Sequence, residues 1–145
     1  MTPAAKASVV PLTLLVLMFD ASPSLADCST EQSRAAEAVA DDLPNWGSVY
    51  DAYSRFGVCD DGAIAEGFSD SIARLLTKQW NSLIALDRLA TAHPGFRRFV
   101  LRHIDSLMSP DQARLIVQNS RRHCPQGSGE LCSAIAEQIS VASKG

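Results

Sequence analysis

The sequence predicts an all-α fold: a compact bundle of six or seven short helices, stapled by disulfides and preceded by a cleavable signal peptide. Three observations carry this. Apolar residues recur three and four apart in window after window, and no run alternates as a half-buried strand would. Proline, glycine and capping residues interrupt that period at short intervals, which sets short helices joined by short connections. Four cysteines stand in a chain whose leader points to an oxidising compartment.

Residues 1–26 form the leader. Lys6 and the amino terminus supply positive charge, an apolar run of 11 residues follows from Val9 to Phe19, and Ser24-Leu25-Ala26 places small residues before Asp27. That is the layout of a secretory signal. The run is too short to cross a bilayer, which takes roughly 20 residues as a helix, and Pro11 interrupts it. Residues 27–145 are then one domain, exported to a periplasm or the exterior, with no transmembrane segment in the mature chain.

Along that domain the first stripe is Ala35, Ala36, Val39, Ala40 and Leu43, in a helix spanning Glu31–Leu43 that Pro44 stops. Asn45 caps the next, with Trp46, Val49, Tyr50, Tyr53 and Phe56 on one face and Gly57 as a left-handed terminator. Asp60-Asp61 opens the longest run, with Ile64, Phe68, Ile72, Leu75, Leu76 and Trp80 at helical spacing; Asn81 or Ser82 restarts or continues it through the apolar Leu83, Ile84, Leu86 and Leu89. His93-Pro94-Gly95 punctuates. The stripe that follows is Phe96, Phe99, Val100, His103, Ile104, Leu107 and Met108. Ser109-Pro110 is a start signal for a helix ending near His123, and Leu131, Ile135, Ile139 and Ala142 mark the last.

Four cysteines allow three pairings. Proximity favours Cys124 with Cys132 around a Pro-Gln-Gly-Ser-Gly turn, leaving Cys28 for Cys59. Zinc spacing is absent, since there is no C-x-x-C pair and no second histidine near His123. The chain offers no haem-attachment, phosphate-loop or nucleophile-elbow motif either, so no cofactor and no catalytic residue is assigned.

Composition excludes some classes of function. The 145 residues are 46% apolar and 20% charged, too aliphatic for disorder, and the net charge of −3 argues against a nucleic-acid binder. The charge is also uneven. Residues 27–70 hold ten acidic groups and two arginines, a net −8, whereas 71–145 hold ten basic and five acidic groups, a net +5. The densest polar stretch carries Asp60, Asp61, Glu66 and Asp70. An EF-hand is out of register; capping by Asp60 or Asp61, and pairing of Asp70 with Arg74 one turn on, are the local readings. Gly62 and Gly67 within a helical run imply close helix contact, approach by another chain, or a frayed first turn.

These features favour a small exported binding protein whose acidic residues Asp60, Asp61, Glu66 and Asp70 face a cationic protein partner, in the layout of an immunity or inhibitor protein that occludes its target. The alternative is an envelope-maintenance protein that meets an anionic surface through Arg97, Arg98, Arg102, Arg121 and Arg122. A hydrolase using Glu66, His103 and Asp70 is the third reading.

Overall fold

A helix starts where some side chain satisfies the backbone donors that the first turn leaves without partners. In the computed structural model, which describes residue 1 and residues 27–144, Ser29 does this for α1 (Thr30–Glu37) and Asn45 for α2 (Trp46–Phe56). Each is a reciprocal capping box, with Gln32 and Ser48 reaching back to the cap. Asp61 caps α3 (Gly62–Lys78), its carboxylate accepting from the Gly62 N–H at 2.8 Å. After α4 (Leu83–Ala92) a single residue intervenes before α5 (Pro94–Arg102), where proline occupies the first turn. Ser109 and Gln112 box the start of α6 (Pro110–Arg122), and α7 (Gly129–Ala142) closes the chain.

The fold is all-α, with seven helices and two 3-10 turns, Gly57–Cys59 and Trp80–Ser82, among the described residues. Cys28 is bonded to Cys59 and Cys124 to Cys132. The proposed leader, apart from Met1, lies outside the described residues.

Several local expectations are corrected. The first helix stops at Glu37 rather than Leu43; the chain turns through 38–41, and Val39 is exposed. Gly57 has φ −60°, so it enters a 3-10 turn instead of reversing the helix in the left-handed region. Trp80 lies beyond α3, in a 3-10 turn fixed by its indole N–H donating to the His123 carbonyl at 2.8 Å. The α5 stripe ends at Arg102, which leaves Leu107 60% exposed in the loop that follows. At two of these places a long-range contact stands where propensity alone is nearly neutral: Ala40 against Gly67, and the Trp80 indole on the His123 carbonyl.

Helix α3 forms the centre of the core. Phe68, Ile72, Leu75 and Leu76 are closed to solvent, covered by Trp46 and Val49 from α2, Leu83 and Leu86 from α4, Phe96 and Phe99 from α5, Ile116 from α6 and Ile135 from α7. Each such side chain contributes about 1.5–3 kcal/mol of burial. Both tryptophans keep a partner for their N–H, Trp46 through Ser82 Oγ at 3.0 Å.

Gly67 is where α3 meets the turn after α1. A Cβ there would stand 2.9 Å from the Ala40 Cβ and 3.1 Å from the Asp41 nitrogen. Of the readings the sequence leaves open for this glycine, close contact is the one observed, made with the turn after α1 rather than with a second helix. Replacing it with alanine adds about 1 kcal/mol of helix propensity, but the overlap is partly with backbone, which yields poorly and costs about 1–3 kcal/mol. Gly67→Ala is therefore expected to lower the urea midpoint; a raised midpoint would mean that the turn after α1 moves freely.

The same junction is tied by Ser71 and Arg74. Ser71 Oγ donates to the Ala40 carbonyl at 2.7 Å and accepts from the Leu43 N–H at 3.2 Å. Arg74 donates to the carbonyls of Asp41 and Leu43 and lies 3.9 Å from the Asp42 carboxylate. It does not pair with Asp70: free backbone carbonyls past α1 offer a second and third acceptor that one exposed carboxylate does not. Ser71→Ala strands two enclosed backbone groups and is expected to cost about 2 kcal/mol in a urea titration.

Candidate functional site

Asp60, Asp61, Glu66 and Asp70 run from the 3-10 turn into α3, and the fold separates them into two groups. The α3 helix points Phe68 and Ser69 inward, so Glu66 and Asp70, one turn apart, point to solvent with Asp61. Among the described residues, none of these three carboxylates has a basic group within ion-pair distance. Glu37 at the end of α1 and Asp41 in the turn after it are exposed nearby, that turn being the segment Gly67 lets approach. An open cleft of about 760 Å³ runs between α1 and the start of α3, lined by Glu37 and Asp61, by Val58 and Ile64, and by Arg34 as its cation. Cys28 and Cys59, bonded to each other, are part of its lining.

Asp60 turns the other way. Its side chain is only 6% exposed and His103's is 4% exposed. His103 Nε2 stands 3.2 Å from both carboxylate oxygens, with hydrogen-bond geometry toward Oδ2; Oδ1 is enclosed and takes no well-aligned bond. Arg102 also donates to Oδ2. On the far side of the ring, Nδ1 lies 3.0 Å from Ser69 Oγ, which donates to Asp105 Oδ2 at 2.7 Å. The serine has one proton, and it goes to Asp105. Its oxygen therefore accepts from Nδ1–H, and Nε2 meets Asp60 as a donor, so a proton on each ring nitrogen satisfies every contact. Asp105 Oδ1 then accepts from the Leu107 N–H at 2.9 Å, which fixes the loop after α5.

Two effects oppose each other at Asp60. Burial pushes its carboxyl up, while the hydrogen bonds from His103 and Arg102, together with their charges, pull it down; the net value lies below the usual 3.8.

An acid, an imidazole and a serine in line suggest nucleophilic catalysis, but the geometry gives them another role. The serine proton is committed to Asp105, and the free space beside Ser69 and His103 is about 10 Å³, room for one water at most. No substrate carbonyl reaches Ser69 there. The network locks the end of α5, the inner face of α3 and the 3-10 turn to one another, and so fixes the surface that carries Asp61, Glu66 and Asp70. Glu66 and Asp70 lie in solvent while His103 lies inside, so the three residues of the hydrolase reading do not form one reaction centre.

Of the arginines expected to meet an anionic surface, Arg98, Arg121 and Arg122 are exposed. Arg97 is half-buried, and Arg102, though also exposed, is held by Asp60 and lies over the Phe99 ring, its guanidinium 5.6 Å from the centroid. Among the described residues no three His, Cys, Asp or Glu side chains gather in a metal-holding group, and no helix is long and apolar enough to cross a membrane. The missed residues are Ser69 and Asp105. The inward position of Ser69 was readable from the α3 period, but its partners come from another helix and a loop. Compared with protein-family models, curated proteins and solved structures, the chain matches none of them.

Proposed function

We propose that this chain is an exported binding protein that presents the α1/α3 face, through Asp61, Glu66 and Asp70, to a cationic protein partner and occludes it, as an immunity or inhibitor protein does. One observation carries this reading: three exposed carboxylates on a rigid surface have no basic neighbour within ion-pair distance among the described residues. Uncompensated like charge raises the energy of the folded state, and an oppositely charged surface relieves it while speeding encounter. Asp60 belongs to the support of that face rather than to its contact surface. The two disulfides are compatible with export into an oxidising compartment.

The test immobilises residues 27–145, recovers retained protein from an envelope extract, and measures the purified partner's affinity at several salt concentrations. The triple variant Asp61→Asn, Glu66→Gln, Asp70→Asn is expected to weaken binding at least about tenfold and to flatten its salt dependence, chiefly by slowing association. Equal affinity of the variant and the unaltered chain would reject this face.

A further inference from the structure

We infer that the groove between α6 and α7 is a binding site for a single-chain anionic lipid, with Arg121 and Arg122 holding the head group and the floor of the groove holding the acyl chain. The groove is open to solvent, offers about 660 Å³, and has Ala113, Val117, Ala136 and Ile139 as its apolar lining, with both arginines at one end. Its lining includes no carboxylate, so the charge at that end is uncompensated and complements an anion. Arg114, also on the wall, is occupied by Asp111; Arg121 and Arg122 are exposed and lack an acidic partner among the described residues.

Shape supports the same ligand. A second hollow of about 280 Å³, lined by Met108 and Ala142 and also by Asp105 and Ser106, shares Pro110, Ala113, Ile139 and Ser143 with the first; the Asp105 carboxylate is already engaged by Ser69 and the Leu107 N–H. The two form one elongated trough beside α6, whose 13 residues span about 20 Å. An apolar strip flanked by polar groups that can orient a ligand is a common construction of a small-molecule site between helices; here Gln118, Ser140 and Ser143 flank the strip and the two arginines supply the charge. Guanidinium groups bind carboxylate and phosphate alike through paired N–H donors. The Cys124–Cys132 bond ties the loop after α6 to the first turn of α7 beside the arginine end, which holds the trough open before any ligand arrives.

The experiment titrates the disulfide-intact chain calorimetrically with palmitate, lysophosphatidylglycerol, dodecyl maltoside and inorganic phosphate, each lipid below its micellar concentration. Both anionic lipids are expected to bind with similar affinity, the neutral maltoside at least about tenfold more weakly, and phosphate alone without measurable heat. Arg121→Gln with Arg122→Gln is expected to raise the dissociation constant of both anionic lipids about tenfold. Ala136→Phe, which fills the floor, is expected to abolish binding while circular dichroism stays unchanged. If that variant misfolds, Ser140→Leu on the same wall reads the same effect. Absence of heat with either anionic lipid, equal affinity for the maltoside, or insensitivity to the double arginine variant each overturns the proposal. The α1/α3 face is untouched by these variants, so a negative result here leaves the protein-partner reading standing.

Discussion

Replacing His103 with phenylalanine is expected to destabilise the protein by about 3 kcal/mol, although the substituted ring stays aromatic. The position favours an aromatic ring: His103 packs with its centroid 4.5 Å from that of Phe99 and 5.8 Å from that of Phe68. Packing alone would make the change mild. The loss comes from what is left behind, an enclosed Asp60 carboxylate and a Ser69 hydroxyl each missing a donor. Arg102 remains on Asp60, which places the cost toward the lower end of the range for a broken buried pair. Urea unfolding at neutral pH measures it, and a loss below about 1 kcal/mol would reduce His103 to a packing ring. Combined with Asp60→Ala, the double variant is expected to lose less than the two single losses added together, because both remove the same contact.

Acid sensitivity follows from the same group. Asp60 titrates below 3.8 in the folded chain, so its carboxylate binds a proton less readily there than in the unfolded chain. The stability it contributes is complete above the unfolded value and is lost as pH falls through the lower, folded value. Asp60→Asn is expected to flatten the stability profile below about pH 4. Parallel acid limbs for the variant and the unaltered chain would remove Asp60 from this role.

Removing the Cys28–Cys59 bond, as Cys28→Ser with Cys59→Ser, is expected to cost about 3.5 kcal/mol, against about 2.5 kcal/mol for removing Cys124–Cys132. The difference follows from loop length, 31 residues against 8. The longer staple has a second consequence. It holds the segment before α1 to the 3-10 turn that ends at Cys59, immediately before Asp60. Without it, amide exchange is expected to quicken first in α1 and next in the turn bearing Asp60, while α6 and α7 keep their protection. Uniform acceleration across all helices would mean that the bond acts only on the unfolded chain.

Most helix starts were legible because a start is a local event. The Asn45 cap and Ser109-Pro110 each need only the next three residues to act. Helix ends were less legible: α1 stops four residues after Ser33 because Ala40 must turn under Gly67, and that contact joins residues 27 apart. Leu107 fits its stripe in spacing, but Asp105 claims the Leu107 amide and ends the period first. The acidic surface was legible as composition, since Asp61, Glu66 and Asp70 reach solvent where helical spacing puts them.

Local order in the chain was enough to determine an all-helical body, to favour by nearness the cysteine pairing that the structure has, and to reveal a charge imbalance between the halves. Tertiary structure alone decided that Asp60 turns inward to His103 and Arg102, that Ser69 and Asp105 complete that network, and that Arg74 serves the carbonyls after α1 instead of Asp70. The physical reason is sequence distance. Partners three or four residues apart meet on any helix, whereas Asp60 and His103, 43 residues apart, meet only after α3 and α5 have packed on a common core.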